Sequence, residues 1–409
     1  MKSWFRSLPF FALFPGYFAY NWAALNGWIG LVLGGYANEV SALVCVGFIL
    51  ALSISLIVGR EISVRLNIVD ACFALFMAWF GVTILFHLMI ASAPGVTKNH
   101  VASWVQIMAC YLAVRTLQFD IVRMPLLWVT VIFTIAVLWA AQTDLLGLLL
   151  RGSNDSSAAT YQGLARALLI TSTFSLFGQR LLWVRWLGYL ATLFILFLVG
   201  ARSEIAGAAI LFGVIEIGAS RRPMRSALLA TVGAAVAAIL LLMAVDALAE
   251  LFPDNRFIAL LLEGSNDASA VERSIYAAMA WRAIQESPVL GDYGHYEYVA
   301  SAGAYAHNWL SVWVDLGLVG LFLFVLLHLI AARTATLNYR LAILSGDSSR
   351  KRQAAFGVGL LTMVIIFNLL AKNFTDPGLA TAGAFLAAMA SAFPYSRVPS
   401  LRTRITSVS

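Results

Sequence analysis

Residues 226–250, SALLATVGAAVAAILLLMAVDALAE, carry no charge until Asp246. A bilayer hydrocarbon core needs roughly 20 apolar residues in helical form, so this run is long enough to cross with some tilt. Arg221, Arg222 and Arg225 stand just before it, and a long polar segment at 251–307 follows. Basic residues collect on the cytoplasmic side of a membrane protein. The run therefore leaves the cytoplasm near Arg225, and the segment after it lies outside.

The rest of the chain repeats this pattern. Of 409 residues 61% are hydrophobic and 11% charged, against about 25% charged in a soluble domain, which excludes a water-soluble fold. Apolar runs between charged or Pro/Gly-rich breaks predict an all-α polytopic protein with spans near 8–33, 40–59, 67–90, 101–118, 125–141, 163–178, 182–200, 204–219, 226–250, 308–332, 354–371 and 379–395, twelve in all. With the N-terminus inside, nineteen Lys and Arg fall in cytoplasmic segments and seven outside, which puts both termini in the cytoplasm. The first run is broken by Pro15, Gly16 and the glycines at 27, 30, 34 and 35. Reading it as two helices would invert every later loop, so it is one bent span; its apolar stretch outruns a signal-peptide h-region and shows no small-residue cleavage site.

Topology alone accounts for the net charge of +7, so no nucleic-acid partner is implied. Cys45, Cys72 and Cys110 all lie in apolar runs and form neither a disulfide framework nor a metal-ligand spacing. No HExxH, Walker glycine loop or external acidic pair with metal-like spacing occurs, so neither a metal nor a nucleotide cofactor is expected.

Three parts follow: spans one to nine over 1–250, an external loop or lid over 251–307, and spans ten to twelve with a cytoplasmic tail over 308–409. In the loop, Ser269 and Glu272 have capping-box spacing, and the stretch to Glu286 reads as an amphipathic surface helix ended by Ser287-Pro288 and Gly291. A turn-prone aromatic loop at 291–298 and then Tyr305-Ala306-His307-Asn308 lead into span ten.

Candidate chemistry gathers on this outer side. Arg202, at the junction of spans seven and eight, needs an anion, either Glu204 or a phosphate that suits its planar fork. Arg273 and Arg282 are nine residues apart on one helix, hence on opposite faces. Arg273 is the preferred ligand contact, whereas Arg282 beside Trp281 also reads as an interfacial anchor. His307 is a general-base candidate near neutral pH, or an interfacial histidine bonded to a loop carbonyl. Among the other histidines, 87 and 328 are expected to face neighbouring helices and His100 to mark a loop edge. Asp70, Arg166, Glu216, Asp246 and Asp315 fall inside spans, where structural pairing and a proton relay both remain open.

Three blocks carry a family resemblance: Gly200-Ala201-Arg202-Ser203; Glu272-Arg273 with Trp281 and then Ser287-Pro288-Val289-Leu290-Gly291; and His307-Asn308-Trp309-Leu310 running to Asp315-Leu316-Gly317-Leu318-Val319-Gly320. In this order, on this side, they resemble the bacterial O-antigen ligase and O-antigen or exopolysaccharide polymerase superfamily. Ala201 replaces a frequent serine, and the residues after Gly291 are more aromatic than usual. The resemblance implies metal-independent transfer of a glycan from undecaprenyl diphosphate to an acceptor hydroxyl at the periplasmic face of the inner membrane. It casts Arg202 and Arg273 on the diphosphate and His307 on the acceptor proton. Asn308 would orient the imidazole or a sugar, Arg282 would assist binding, and Tyr293, Tyr296, Tyr298 and Tyr305 would stack on or gate sugars. Gly317 and Gly320 would permit close helix packing.

The acceptor is a growing lipid-linked glycan for a polymerase and lipid A-core for a ligase; the short loops favour the polymerase. Protein O-glycosylation is a third reading. A twelve-span secondary transporter is the rival of another class, but it commonly shows related halves and a central cytoplasmic link, neither of which is visible here.

Overall fold

The computed structural model describes residues 6–25, 28–29, 36–57, 65–142, 161–252, 255–264, 268–300, 305–306 and 308–392. The protein is all-helical, 85% helix with no strand among the described residues, as apolar runs must be when lipid offers the backbone no hydrogen bonds. α1 (Leu8–Phe11) passes through a π-helical turn (Ala12–Gly16) into α2 (Tyr17–Leu25). That turn absorbs Pro15, which has no N–H to give. Then come α3 (Tyr36–Ile57), α4 (Ile68–Met89), α5 (Pro94–Arg115), α6 (Phe119–Gln142), α7 (Tyr161–Leu176), α8 (Leu182–Leu198), α9 (Arg202–Ala219) and α10 (Pro223–Met243). The short α11 (Val245–Leu251), α12 (Arg256–Glu263), α13 (Ala268–Glu286) and α14 (His295–Val299) lead to α15 (Leu310–Ser345), α16 (Ser348–Leu370) and α17 (Gly378–Ala392).

Among the described residues each predicted apolar run overlaps at least one helix. Among the described residues α3, α4, α6, α10, α15 and α16 are long and apolar enough to cross a membrane, and α8 and α17 are apolar but shorter. The chain is a multi-pass membrane protein. α15 outruns its apolar stretch by more than a dozen residues because a buried stripe continues through Ala331, Ala335, Asn338 and Ala342. It stops at Gly346, whose φ of 67° is a left-handed C-terminal signal. The segment after α10 holds α12 and α14 besides the expected surface helix. Asn255 caps α12 through Phe257 and Ile258 N–H and ties it to the Phe197 carbonyl at 2.7 Å.

α9 and α16 pack along their length at the centre, Gly207 against Phe367 and Gly359 against Leu211, the close approach that small residues allow between membrane helices. Several charges inside the bundle are paired. Arg115 bonds Asp70 at 2.9 Å, with Tyr111 on the same carboxylate. Arg185 grips Glu216 through two bonds of 2.8 and 3.0 Å. Arg166 pairs with Asp376, and Lys372 with Glu204.

Candidate functional site

α15 is broken about two turns from its start. Gly317 has φ 65° and ψ −170°, and the segment before α14 crosses the break. The i to i−4 bond between Leu318 and Val314 is replaced by two bonds to that segment: Leu318 N donates to the Val289 carbonyl at 2.9 Å, and the Val314 carbonyl accepts from Asp292 N at 2.7 Å. The Leu316 carbonyl takes the Trp79 indole N–H at 3.0 Å. Every group freed by the break that is named here has a partner, which a membrane interior demands. Gly317 and Gly320 were expected to serve helix packing. Gly317 instead opens the helix to the loop: a Cβ there would sit 2.5 Å from the Val289 carbonyl oxygen, and one on Gly291 2.4 Å from that of Val314.

α14 clamps the loop to α5. Gly95 N and Val96 N donate to the Glu297 carboxylate at 3.1 and 2.8 Å, and Ala93 N to the Tyr298 hydroxyl at 2.9 Å. A carboxylate at a helix N-terminus satisfies orphan amides and suits the helix dipole. We expect Glu297→Ala to lower stability by about 1 kcal/mol, read as a drop in the melting temperature of the purified protein; an unchanged melting temperature would argue against the clamp.

Two polar centres lie beneath this loop. In the first, Arg202 opens α9, whose N-cap Ala201 offers no side-chain oxygen. Its neighbour Glu204 is almost fully buried and accepts from Lys372 Nζ at 2.8 Å and Ser203 Oγ at 2.7 Å. Glu204 is thus committed to Lys372. Arg166 reaches Asp376, and Glu204, Tyr305 and Tyr17 are near enough to interact with it electrostatically. A cavity of about 20 Å³ beside Arg166, Glu204 and Asp376 has room for one water. Asn308 joins from the start of α15: its carbonyl accepts from Ser311 Oγ, which in turn accepts from Phe374 N in the turn that carries Lys372 and Asp376.

The second centre surrounds Tyr293. Its ring stacks on His87 at 3.9 Å, and its hydroxyl bonds His100 Nδ1 at 3.2 Å. Burial, with Asp315 and Glu297 adding to it, pushes the Tyr293 hydroxyl up to about 12 against the Thr97 hydrogen bond, so it stays a neutral phenol. His100 Nε2 lies 3.9 Å from buried Asp315, whose other oxygen accepts from Gly294 N at 3.2 Å. His100 was expected at a loop edge. It sits instead in the second turn of α5, buried, because α5 begins earlier than the apolar run. Its ring also meets Phe374 edge-on at 5.5 Å, which links the two centres. One face of the Tyr293 ring is covered by His87.

On α13 the phase separates the two arginines. Buried Ala280 and Ile284 follow Arg273 at seven and eleven residues, so Arg273 shares the packed face; its Nε is buried with no partner among the described residues. Arg282 is exposed beside Trp281, which meets Trp309 and Trp313 edge-on. The helix starts at Ala268, one residue before Ser269, and Glu272 accepts from the Tyr276 hydroxyl at 2.9 Å. Glu272 therefore bonds forward along the helix. The Ser269 side chain and His307 lie outside the described residues. The nearest described positions are Ala306, buried against α13, and Asn308.

Residues 187–325, about a third of the chain, match the family model described as O-antigen ligase. The match runs from α8 into α15 and takes in Arg202, Arg273, Arg282, Tyr293, Tyr305, His307 and Asn308. No curated protein and no solved structure matches the chain. The matched segment, which holds both the arginine opening α9 and the loop locked into α15, is similar to the O-antigen ligase family and supports an O-antigen ligase/polymerase-type membrane glycosyltransferase.

Proposed function

We propose that the protein transfers a glycan from undecaprenyl diphosphate to a sugar hydroxyl at the periplasmic face of the inner membrane, acting as an O-antigen or exopolysaccharide polymerase. The reading is carried by Arg273: a cation on the packed face of the loop helix, its Nε buried without a partner among the described residues, in the segment that also starts α9 with Arg202. Guanidinium forks suit phosphate oxygens, and the N-terminus of α9, free of a side-chain cap, favours the same charge.

In this mechanism Arg202 and Arg273 hold the diphosphate and stabilise the charge that grows on it as the anomeric C–O bond breaks. The acceptor oxygen attacks the anomeric carbon from the opposite side, with inversion, while His307 takes its proton. Undecaprenyl diphosphate leaves. The two arginines supply the cationic charge, so no metal is assigned. Asn308, Tyr305 and Arg282 are assigned to substrate binding, with Tyr293 supporting the loop from below. The 251–307 segment acts as the lid, and both termini lie in the cytoplasm.

The ligase reading differs only in the acceptor. Purified protein reconstituted with a lipid-linked repeat unit should lengthen the lipid-linked chain without added lipid A-core, giving a ladder on a glycan gel. Transfer solely to lipid A-core would make it a ligase. Transfer to neither, with intact protein and donor, would remove the glycosyltransferase assignment.

A further inference from the structure

The opposite end of the bundle carries a second cationic pocket. α15 rises about 1.5 Å per residue, so its end at Ser345 lies the full length of a 36-residue helix from Asn308. There the start of α6, the α7–α8 turn and the start of α16 enclose an open cavity of about 570 Å³, within the range of small-ligand sites. Arg123, Arg180 and Arg352 line it, with Phe119 and Phe177 as apolar wall.

Two of these guanidiniums are held in place from one side. Arg123 Nη1 donates to the Gly178 carbonyl at 2.8 Å and Arg352 Nη1 to that of Gln179 at 2.9 Å. Each keeps a buried Nε–H with no partner among the described residues, so each has bonding capacity beyond its carbonyl contact. Buried donors of this kind invite a missing acceptor. Asp120 and Asp347 also line the pocket. Asp347 is committed to capping α16 through Ser349 N and Arg350 N and to the Arg350 side chain at 3.4 Å, while Asp120 sits in the first turn of α6, where the helix dipole holds it. Three cations against two acids, one of them already committed, leave the pocket cationic.

We propose that this pocket binds a phosphate group, either the phosphodiester of an anionic phospholipid headgroup or a free phosphate. Its position at helix ends, on the side where the charge count places the cytoplasm, suits a headgroup, and the arginine forks suit either source.

The test uses the purified full-length protein in detergent, with phosphatidylglycerol or inorganic phosphate as probe, read by native mass spectrometry and thermal stability. If a lipid is the source, phosphatidylglycerol binds and raises the melting temperature, and Arg123→Gln with Arg352→Gln weakens binding about tenfold or more. If free phosphate is the source, phosphate alone raises the melting temperature and the same variant loses the shift. Should the double variant fail to fold, Arg180→Gln decides, because the Arg180 side chain is exposed; it should weaken the same probe several-fold, by about the worth of one charge-assisted bond. Neither probe binding, or binding equal in the wild type and every folded variant, overturns the proposal.

Discussion

Arg202→Ala and Arg273→Ala are each expected to lower the rate of glycan transfer by about 10²–10³, the loss typical of removing one preorganised stabiliser of developing charge. His307→Ala should lose about 10²–10⁴ as a general base is removed. Arg273→Lys tests the fork separately from the charge. It keeps a cation but not bidentate geometry, so it should recover only part of the loss. Arg282→Ala should be milder, since that side chain is exposed beyond the packed face of α13. The measurement is initial transfer by purified, reconstituted protein at matched membrane abundance. Near-normal rates in Arg202→Ala, Arg273→Ala and His307→Ala together would defeat the assignment.

The second large effect concerns backbone. At Gly317 and Gly291 φ is 65° and 77°, a positive-φ backbone that costs a side chain about 1–3 kcal/mol. An added Cβ would also meet main-chain oxygen at 2.5 or 2.4 Å, so the loop and α15 must part. Gly317→Ala and Gly291→Ala should each destabilise the protein by about 3 kcal/mol or more and abolish transfer, although neither residue is assigned to the chemistry. Gly213→Ala in α9 is the control. Nothing lies within 4 Å of its added Cβ, and alanine favours helix over glycine by about 1 kcal/mol, so its melting temperature and rate should hold. If the loop variants keep both, the break in α15 is not what holds the loop.

The same pair of glycines shows how far a sequence reads into such a protein. Ser287-Pro288-Val289-Leu290-Gly291 and Asp315-Leu316-Gly317 are separate family blocks along the chain. Folded, they are one joint, each supplying the hydrogen bonds the other lacks. That exchange is invisible in periodicity, because Gly317 sits inside an apolar run that reads as unbroken helix. His100 was passed over for a related reason. The apolar count began at Val101, whereas Pro94 begins the helix and Glu297, some 200 residues away, caps it. Lys372 and Glu204 likewise meet across 168 positions, so neither reveals its partner locally. The separation of Arg273 from Arg282, by contrast, was legible, since nine residues on one helix fix the angle between them wherever the helix docks.

Sequence by itself determined what is local or additive: helices wherever roughly 20 apolar residues meet a solvent without hydrogen bonds, and, in three ordered blocks, a resemblance that the family match over residues 187–325 supports. Tertiary structure alone decided which charges neutralise one another, where α15 opens to admit the loop, and which histidine is buried against Asp315. Those outcomes depend on the desolvation of polar groups brought together from distant parts of the chain. In a low-dielectric interior an unpaired charge or amide is too unfavourable to leave standing, so the partners are selected by packing geometry rather than by nearness in sequence.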